Sequence, residues 1–260
     1  MTAEILRILI LQTDIIWKDT CGNLKHFDDL LQYYNQKADL VLLPELFTTG
    51  FLMTPGDIST EMQAKAVTWL NNKAFNLNSS IAGSMIIKQN KQYYNRLICA
   101  HPSSDISIYD KRHLFRMEGE LKHYSRGMQR SISVINGWRI CWQICYDLRF
   151  PVWSRCRNDY DVLVYVANWP AKRNDVWKTL LKARAIENQS YVIGVNRIGT
   201  DGNGIDYIGE SCVIDPKGNL LNDLIADHEK LISAELNYTL LKDFREIFPV
   251  LSDADKFTIE

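Results

Sequence analysis

Short apolar runs of strand length alternate along the chain with longer stretches in which apolar residues recur every three or four positions. The strand-like runs are residues 6–12, 40–43, 80–87, 132–134, 139–144, 162–166, 192–196 and 212–214. The helix-like stretches are residues 21–37, 61–77 and 175–189. Strands that alternate with amphipathic helices predict a layered α/β protein.

Two strand-like segments lead into turn sequences that predict antiparallel hairpins. Residues 82–88 turn through 89–92 into 93–100, and Ile214 is followed by the turn sequence Asp-Pro-Lys-Gly. Such pairs disfavour a purely parallel sheet and favour a mixed sheet, or two packed sheets, with helices outside. We predict one domain over residues 1–260, in which 236–260 form a tail that packs on a partner subunit or docks loosely.

The composition is that of an ordinary globular protein, and it argues against a disordered chain and a nucleic-acid-binding protein. Hydrophobic residues make up 46%, charged residues 23%, and the net charge is −1, which disfavours disorder and supplies no cationic field for nucleic acid. The apolar run 8–11 is too short to span a membrane, and no secretory signal is recognisable. Six cysteines without CxxC spacing disfavour disulfides and zinc, so we predict a cytoplasmic protein.

Glu45 follows the predicted strand 40–43 and Pro44, and it directly precedes the apolar pair Leu46 and Phe47. Apolar surroundings raise the pKa of a carboxyl group, which suits a general base and acid that works near neutral pH. The alternative is that Glu45 caps the following turn. This segment alone does not decide between the two.

Lys111 lies in a charged cluster, Asp110 to His113, at the end of a short apolar segment. Beside a buried acid, a lysine would be a fixed cation that stabilises an oxyanion. The alternative is a solvated run of surface charges, which is the commoner situation for lysine.

Cys145 follows the predicted strand 139–144 and precedes a helix that begins at Pro151. A cysteine at such a sharp turn resembles the nucleophile of a nucleophile elbow. In that arrangement the next backbone N–H, here that of Tyr146, can donate a hydrogen bond to the oxyanion. Cys141 lies inside the strand and is predicted to be a core residue.

No histidine stands out as a base for this cysteine. His26 lies in a predicted helix, His101 precedes a proline, and His228 lies in a late loop. His113 and His123 flank the lysine segment, so a Cys–His pair remains a minor alternative. The dispersed His, Cys and Asp residues do not have the spacing of a metal site.

Together, the three segments resemble the nitrilase superfamily of carbon–nitrogen hydrolases, in which a Glu, a Lys and a Cys follow in this order. The similarity spans about residues 5 to 235 and is strongest to the omega-amidase branch, which hydrolyses the side-chain amide of 2-oxoglutaramate. It is carried by the segments 109–117 (YDKRHLFRM), 145–151 (CYDLRFP), 167–170 (ANWP), 183–189 (ARAIENQ) and 194–199 (GVNRIG).

The resemblance implies a four-layer α-β-β-α sandwich of two mixed sheets with helices outside, and a homodimer. It also implies catalysis by Glu45, Lys111 and Cys145 through a thioester, without a cofactor, in which Tyr146 supplies the backbone oxyanion donor. A second glutamate is expected near the triad. Glu120 stands at the matching place, and its neighbour Glu118 is the alternative.

The substrate implied is the ω-amide of a small 2-oxo acid, 2-oxoglutaramate or 2-oxosuccinamate, whose carboxylate an arginine would bind bidentately. Arg173 is the first candidate, followed by Arg149 and Arg116. Trp169 and Phe47 are candidate apolar walls, although core packing is commoner for such aromatics. The alternatives are an N-carbamoyl amide or nitrile hydrolase on the same triad, or a catalytically silent binding protein.

Overall fold

The computed structural model describes residues 2–259, and most of its strands build two facing sheets. The strands are β1 (Ile5–Gln12), β2 (Leu40–Leu42), β3 (Ser80–Gln89), β4 (Gln92–Ala100), β5 (Ile106–Asp110), β6 (Ile132–Ile135), β7 (Trp138–Ile144), β8 (Val162–Ala167), β9 (Tyr191–Asn196), β10 (Ile198–Thr200), β11 (Asp206–Ile208), β12 (Cys212–Ile214) and β13 (Lys230–Asn237). The helices are α1 (Thr20–Gln32), α2 (Thr60–Leu77), α3 (Glu120–His123), α4 (Pro151–Ser154), α5 (Asn174–Asn188) and α6 (Tyr238–Ile247). Over the described residues, none of these helices is long and apolar enough to cross a membrane.

Both large sheets combine parallel and antiparallel strands. The first has the order β13-β1-β2-β3-β4-β5 and the second the order β12-β9-β8-β7-β6, while β10 and β11 pair with each other. Strands β1 to β3 run parallel, and so do β7 to β9. The flanking strands pair antiparallel. The mixed sheets predicted from the hairpin signals are therefore confirmed.

The core between the sheets is built from alternate residues of the facing strands. Leu6, Ile8 and Ile10 of β1 belong to one apolar cluster with Trp138 and Trp142 of β7, and each is at most 1% exposed. Because successive side chains of a strand point to opposite faces, the residues between them are directed outward.

Helices cover the outer faces of both sheets. Leu9 of β1 packs in a cluster with Phe27 of α1 and Leu70 of α2. Behind the second sheet, Leu163 of β8 packs in a cluster with Trp177 of α5. Burial of each such side chain contributes about 1.5–3 kcal/mol. The layers follow the order α-β-β-α, so the four-layer sandwich is confirmed.

The boundaries of several elements differ from the prediction. The predicted helix 21–37 ends at Gln32, because the apolar period stops at Leu31. The first hairpin is tighter than expected: Asn90 and Lys91 alone form its turn, both in the left-handed region. The second predicted hairpin is present as a short antiparallel return, in which Ile214 forms an isolated bridge with Leu220 and the Asp215 N–H donates to the carbonyl oxygen of Asn219.

The C-terminal segment contains a strand that the sequence pattern did not predict. Strand β13 is an edge strand that pairs with β1 and is only partly buried, which weakens its apolar signal. The tail contains helix α6, which docks on its own chain: Leu241 is buried, and Arg245 donates hydrogen bonds to the carbonyl oxygens of Gln189 and Tyr160.

Candidate active site

Four of the predicted site residues converge where the two sheets face each other. Glu45 lies just beyond β2 and Lys111 directly follows β5, both in the first sheet. Cys145 directly follows β7 in the second sheet, and Glu120 begins α3. Neither sheet alone carries the whole set, so the packing of the two sheets determines the geometry of the site.

The Glu45 carboxylate is fully buried and is held on both oxygens. Its Oε1 accepts hydrogen bonds from Asn95 Nδ2 at 2.7 Å and from Lys111 Nζ at 2.9 Å. Its Oε2 accepts a hydrogen bond from the backbone N–H of Asn168 at 2.8 Å. Leu46 has a φ of +46°, which turns the chain immediately after Glu45. The side chain therefore faces the site and does not cap the following turn.

Lys111 is 1% exposed and lies between two carboxylates. Its Nζ is 2.9 Å from Glu45 Oε1 and 3.1 Å from the carboxylate of Glu120. Burial by itself would lower the pKa of this ammonium group, but the charges of Glu120 and Glu45 outweigh it and raise the pKa well above the usual value. Lys111 is thus a permanent cation, not a solvated surface charge.

Glu120 binds Lys111 from the side opposite Glu45 and is itself fully buried. The backbone N–H of Phe115 donates to its Oε2 at 2.6 Å, which fixes the carboxylate. Burial raises the pKa of Glu120, and the nearby charge of Glu45 adds to the shift, whereas Lys111 opposes it. Two carboxylates therefore share one cation, an arrangement that makes the position of the ammonium group rigid.

Cys145 is the first residue of a 3-10 turn and has a φ of +44°, in the left-handed region. Such a backbone is unfavourable for a residue with a side chain and is typical of functional sites. Burial raises the pKa of the Cys145 thiol well above its usual value, and the negative charge of Glu45 raises it further, while Lys111 lowers it. The surroundings of the thiol therefore favour its neutral form over the thiolate.

Asp147 secures the turn that carries Cys145. Its Oδ2 accepts hydrogen bonds from Tyr109 Oη at 2.7 Å and from the backbone N–H of Ile144 at 3.0 Å. Its Oδ1 accepts from the backbone N–H of His113 at 2.9 Å. The fully buried carboxylate thus ties the Cys145 turn to the segment around Lys111.

A cavity opens at Cys145, and part of the predicted binding set lines it. Arg149 and Arg173 both reach this cavity, where each guanidinium lies 5.2 Å from an aromatic ring centroid, that of Trp169 and of Phe115 respectively. Among residues 2–259, no carboxylate lies within ion-pair distance of either arginine. The cavity is lined by Phe51, Lys111, Phe115, Glu118, Cys145, Tyr146, Arg149, Asn168, Trp169, Pro170, Arg173 and Tyr207.

Two predicted substrate-binding residues lie elsewhere. Arg116 is exposed to solvent and does not line the cavity, since the 3-10 turn that it begins directs it outward. Phe47 is fully buried between the first sheet and its helices, where its ring is 5.7 Å from that of Phe27 and 6.1 Å from that of Trp69. The left-handed residue before it reverses the chain, so Phe47 is a core residue.

The geometry disfavours a histidine base. His113 Nδ1 is 2.7 Å from Asp147 Oδ1, and its ring stacks on Phe150. The Nδ1 atom and one face of the imidazole ring are therefore already in contact with other groups. His123 is exposed on α3. Within the described part of the chain, no group of three or more His, Cys, Asp or Glu residues is arranged to hold a metal ion.

Sequence reasoning missed the polar residues that hold the four groups in place. Asn95 and Asn168 bind Glu45, and Asp147 orders the Cys145 turn. Their partners are remote in sequence, so no local pattern identifies them. The position of Asn168, directly after β8, was the available signal, because the other site residues also follow strand ends.

Comparison with known proteins gives a consistent result over almost the whole chain. Residues 7–246 match the family described as carbon-nitrogen hydrolase. The chain is 46% identical to "Omega-amidase YafV" of Escherichia coli (strain K12), over 98% of this chain and 98% of that protein. It is 34% identical to "2-oxoglutaramate amidase" of Bacillus subtilis (strain 168), over 96% and 97% of the two chains.

The fold is also that of a solved structure. The crystal structure of XC1258 from Xanthomonas campestris, a CN-hydrolase superfamily protein with an arsenic adduct in its active site, superposes with a TM-score of 0.91 at 38% identity. The match covers 99% of this chain and 100% of the other.

Proposed function

The chain belongs to the carbon-nitrogen hydrolase family, and we propose that it hydrolyses the ω-amide of a small 2-oxo acid, 2-oxoglutaramate or 2-oxosuccinamate. The products are the 2-oxo dicarboxylate and ammonia. The observation that carries this proposal is the buried Glu45–Lys111–Glu120 network beside Cys145, in a cavity that also contains two arginines without ion pairs. Amide hydrolysis agrees with the named relatives, two of which are amidases of this kind.

The first half of the reaction forms a thioester. Glu45 takes the proton of Cys145, and the thiolate attacks the amide carbonyl carbon. Lys111 Nζ and the backbone N–H of Tyr146 bind the oxyanion of the tetrahedral intermediate. The C–N bond breaks as Glu45 returns the proton to the leaving nitrogen, and ammonia departs. A base in contact is required because the thiol has a raised pKa.

The second half of the reaction returns the free enzyme. Glu45, again a carboxylate, accepts a proton from a water molecule that attacks the thioester carbonyl. The same donors hold the second oxyanion, the C–S bond breaks, and the thiolate of Cys145 recovers its proton from Glu45. Glu120 is a positioning residue in this scheme, since it touches Lys111 and holds it against Glu45. No step requires a cofactor.

The arginines at the other end of the cavity select the substrate. A guanidinium that makes no ion pair with the protein is available to a ligand carboxylate, and its planar donors match that group. Arg173 and Arg149 both fit this description. Trp169 and Phe115 support their guanidinium planes and line the apolar part of the cavity. A substrate with an amide at one end and a carboxylate at the other would span the two ends.

We also propose a homodimer that acts in the cytoplasm. Helix α6 buries Leu241 but leaves Leu240 and Ile247 exposed, which supports contact with a second copy. All six cysteines are free, which suits a reducing compartment. Sedimentation of wild type against the double variant Leu240→Glu and Ile247→Glu tests the assembly; a wild-type monomer would refute it.

The decisive experiment is ammonia release from 2-oxoglutaramate by the purified protein. Wild type and Cys141→Ala, which changes a buried core thiol, should be active, whereas Cys145→Ala should be silent. Activity on a simple amide or an N-carbamoyl amino acid, without activity on 2-oxoglutaramate, would refute the proposed substrate but would still support the proposed catalytic triad. Carbon dioxide release together with ammonia would identify a carbamoyl substrate. Failure of Cys145 to react with an alkylating agent would favour a silent binding protein.

A further inference from the structure

The side chain of Asn168 has one polar atom that the protein leaves unused. Its Nδ2 donates to the backbone carbonyl of Glu45 at 2.7 Å. Because a carbonyl oxygen only accepts, this contact fixes which end of the carboxamide is nitrogen and which is oxygen. The remaining atom, Oδ1, is buried and has no hydrogen-bond donor within the described residues. Buried carbonyl oxygens are normally paired, so an unpaired one in a site requires an explanation.

Asn168 lies beside the reacting groups. It is 4% exposed, forms part of the cavity wall, and its backbone oxygen is 3.8 Å from Cys145 Sγ. Its backbone N–H donates to Glu45 Oε2, so the residue touches both the proposed nucleophile and the proposed base. The –NH₂ group of a bound amide must approach Glu45 in order to receive its proton, which brings it to Asn168.

The other charged groups around the scissile bond do not offer a free acceptor. Glu45 Oε1 already accepts two hydrogen bonds, and its Oε2 accepts one from the backbone N–H of Asn168 and a longer one, at 3.4 Å, from Asn168 Nδ2. Lys111 only donates, and Glu120 is engaged by Lys111 and by the backbone N–H of Phe115. An amide nitrogen has two N–H donors. Glu45 Oε2 can accept one of them in place of the long contact from Asn168 Nδ2, and the second needs another acceptor.

We propose that Asn168 Oδ1 accepts a hydrogen bond from the –NH₂ group of the scissile amide and so makes the site selective for primary amides. The inference rests on the proposed function, and it assigns a specificity-determining residue to that site. A substrate without an N–H at this position, such as an ester, leaves Oδ1 unpaired. Sites that are built to hydrogen-bond a substrate group discriminate strongly against analogues that lack it.

Asn95 provides a matched control. Its Nδ2 also donates to the Glu45 side chain, and its Oδ1 is also buried and unpaired, but Asn95 does not line the cavity. Replacement of either asparagine removes one anchor of Glu45. Only replacement of Asn168 also removes an unpaired acceptor on a residue that lines the cavity. A role limited to anchoring Glu45 therefore predicts the same effect on amide and ester substrates for both variants.

The test compares 2-oxoglutaramate with the ω-methyl ester of 2-oxoglutarate, which gives the same acyl-enzyme. The readout is kcat/KM, which reports the acylation half-reaction. In Asn168→Ala, the amide-to-ester ratio of kcat/KM should fall about 10- to 100-fold, the range expected when one buried hydrogen bond is lost. In Asn95→Ala, activity should fall on both substrates and the ratio should stay within about twofold of wild type.

An unchanged ratio in Asn168→Ala, or an equal drop in Asn95→Ala, would overturn the proposal. Far-ultraviolet circular dichroism and the Tm establish that each variant is folded. If Asn168→Ala fails to fold, Asn168→Ser is measured in its place, since its shorter side chain also lacks the carboxamide oxygen. If the wild type cleaves neither substrate, the proposed function is refuted. Failure of the proposed function can therefore be distinguished from failure of the Asn168 proposal.

Discussion

The two ends of the cavity are built in opposite ways. At one end, the charges of Glu45, Lys111 and Glu120 are buried and paired at 2.9 to 3.1 Å. At the other end, Arg149 and Arg173 rest on aromatic rings and have no ion pair within the described chain. The first end is ordered by the protein itself, whereas the second is open to the carboxylate of the proposed substrate. Chemistry is thus fixed in advance, whereas recognition depends on the substrate.

The largest effect, a combined loss of stability and activity, is expected when the paired end loses its cation. Lys111→Met leaves two buried carboxylates without a counter-ion, so the free energy of unfolding should fall by about 3–5 kcal/mol. Loss of the oxyanion donor should reduce kcat by a factor on the order of 100 to 1000. Urea unfolding and ammonia release measure the two effects. Arg173→Met is the matched control, and a similar loss of stability in both variants would remove the contrast between the two ends.

Glu45→Gln should nearly abolish turnover, by about 100- to 10,000-fold, because it removes the general base. It should also lower the pKa of the Cys145 thiol, since the negative charge that opposes the thiolate is gone while Lys111 remains. The pH dependence of alkylation, followed on the Cys145 peptide by mass spectrometry, should therefore shift to lower pH. An upward shift would show that Glu45 does not act on this thiol.

At the unpaired end, Arg173→Ala should reduce kcat/KM for 2-oxoglutaramate by about 10- to 100-fold, the effect of a lost charged hydrogen bond. The loss should appear mainly in KM, and hydrolysis of a simple neutral amide should hardly change. Arg116→Ala is the control, because Arg116 lies outside the cavity. A fall of kcat on both substrates would assign Arg173 to the chemistry.

The smallest effect is expected at Glu118, which lies in the cavity wall near Arg173. Burial raises the pKa of Glu118, and the charge of Arg173 partly offsets the shift. When ionised, this carboxylate competes with the substrate for the arginine. Glu118→Gln should lower KM about two- to fivefold at neutral pH. In wild type, KM should fall as the pH decreases toward the raised pKa, and a KM that rises instead would argue against the competition.

The sequence allowed prediction of the sandwich and of the placement of Glu45, Lys111 and Cys145, because each follows a strand end and strand ends are visible as apolar runs. The activity class is now supported by the relatives, while the roles of these residues remain proposals. Phe47 and Arg116 were misplaced because a single left-handed residue or a 3-10 turn redirects a side chain without changing the apolar pattern.

The polar residues that hold the site in place could not be predicted from local sequence patterns, for a different reason. Asn95 and Asp147 act through partners that are 50 and 38 positions away, Glu45 and Tyr109 respectively. Such contacts exist only after the sheets have formed. Edge strand β13 was missed because half-exposed strands lack a continuous apolar run.

The division of the site between the two sheets has a consequence for how activity arises during synthesis. A ribosome delivers Glu45, Lys111 and Glu120 first and Cys145 and Asn168 later, with the first sheet still lacking β13. A nascent chain released early would carry the acid and the cation but no nucleophile. Under the proposed mechanism, activity therefore requires that the two sheets have packed together, and a product that ends before Cys145 is inactive.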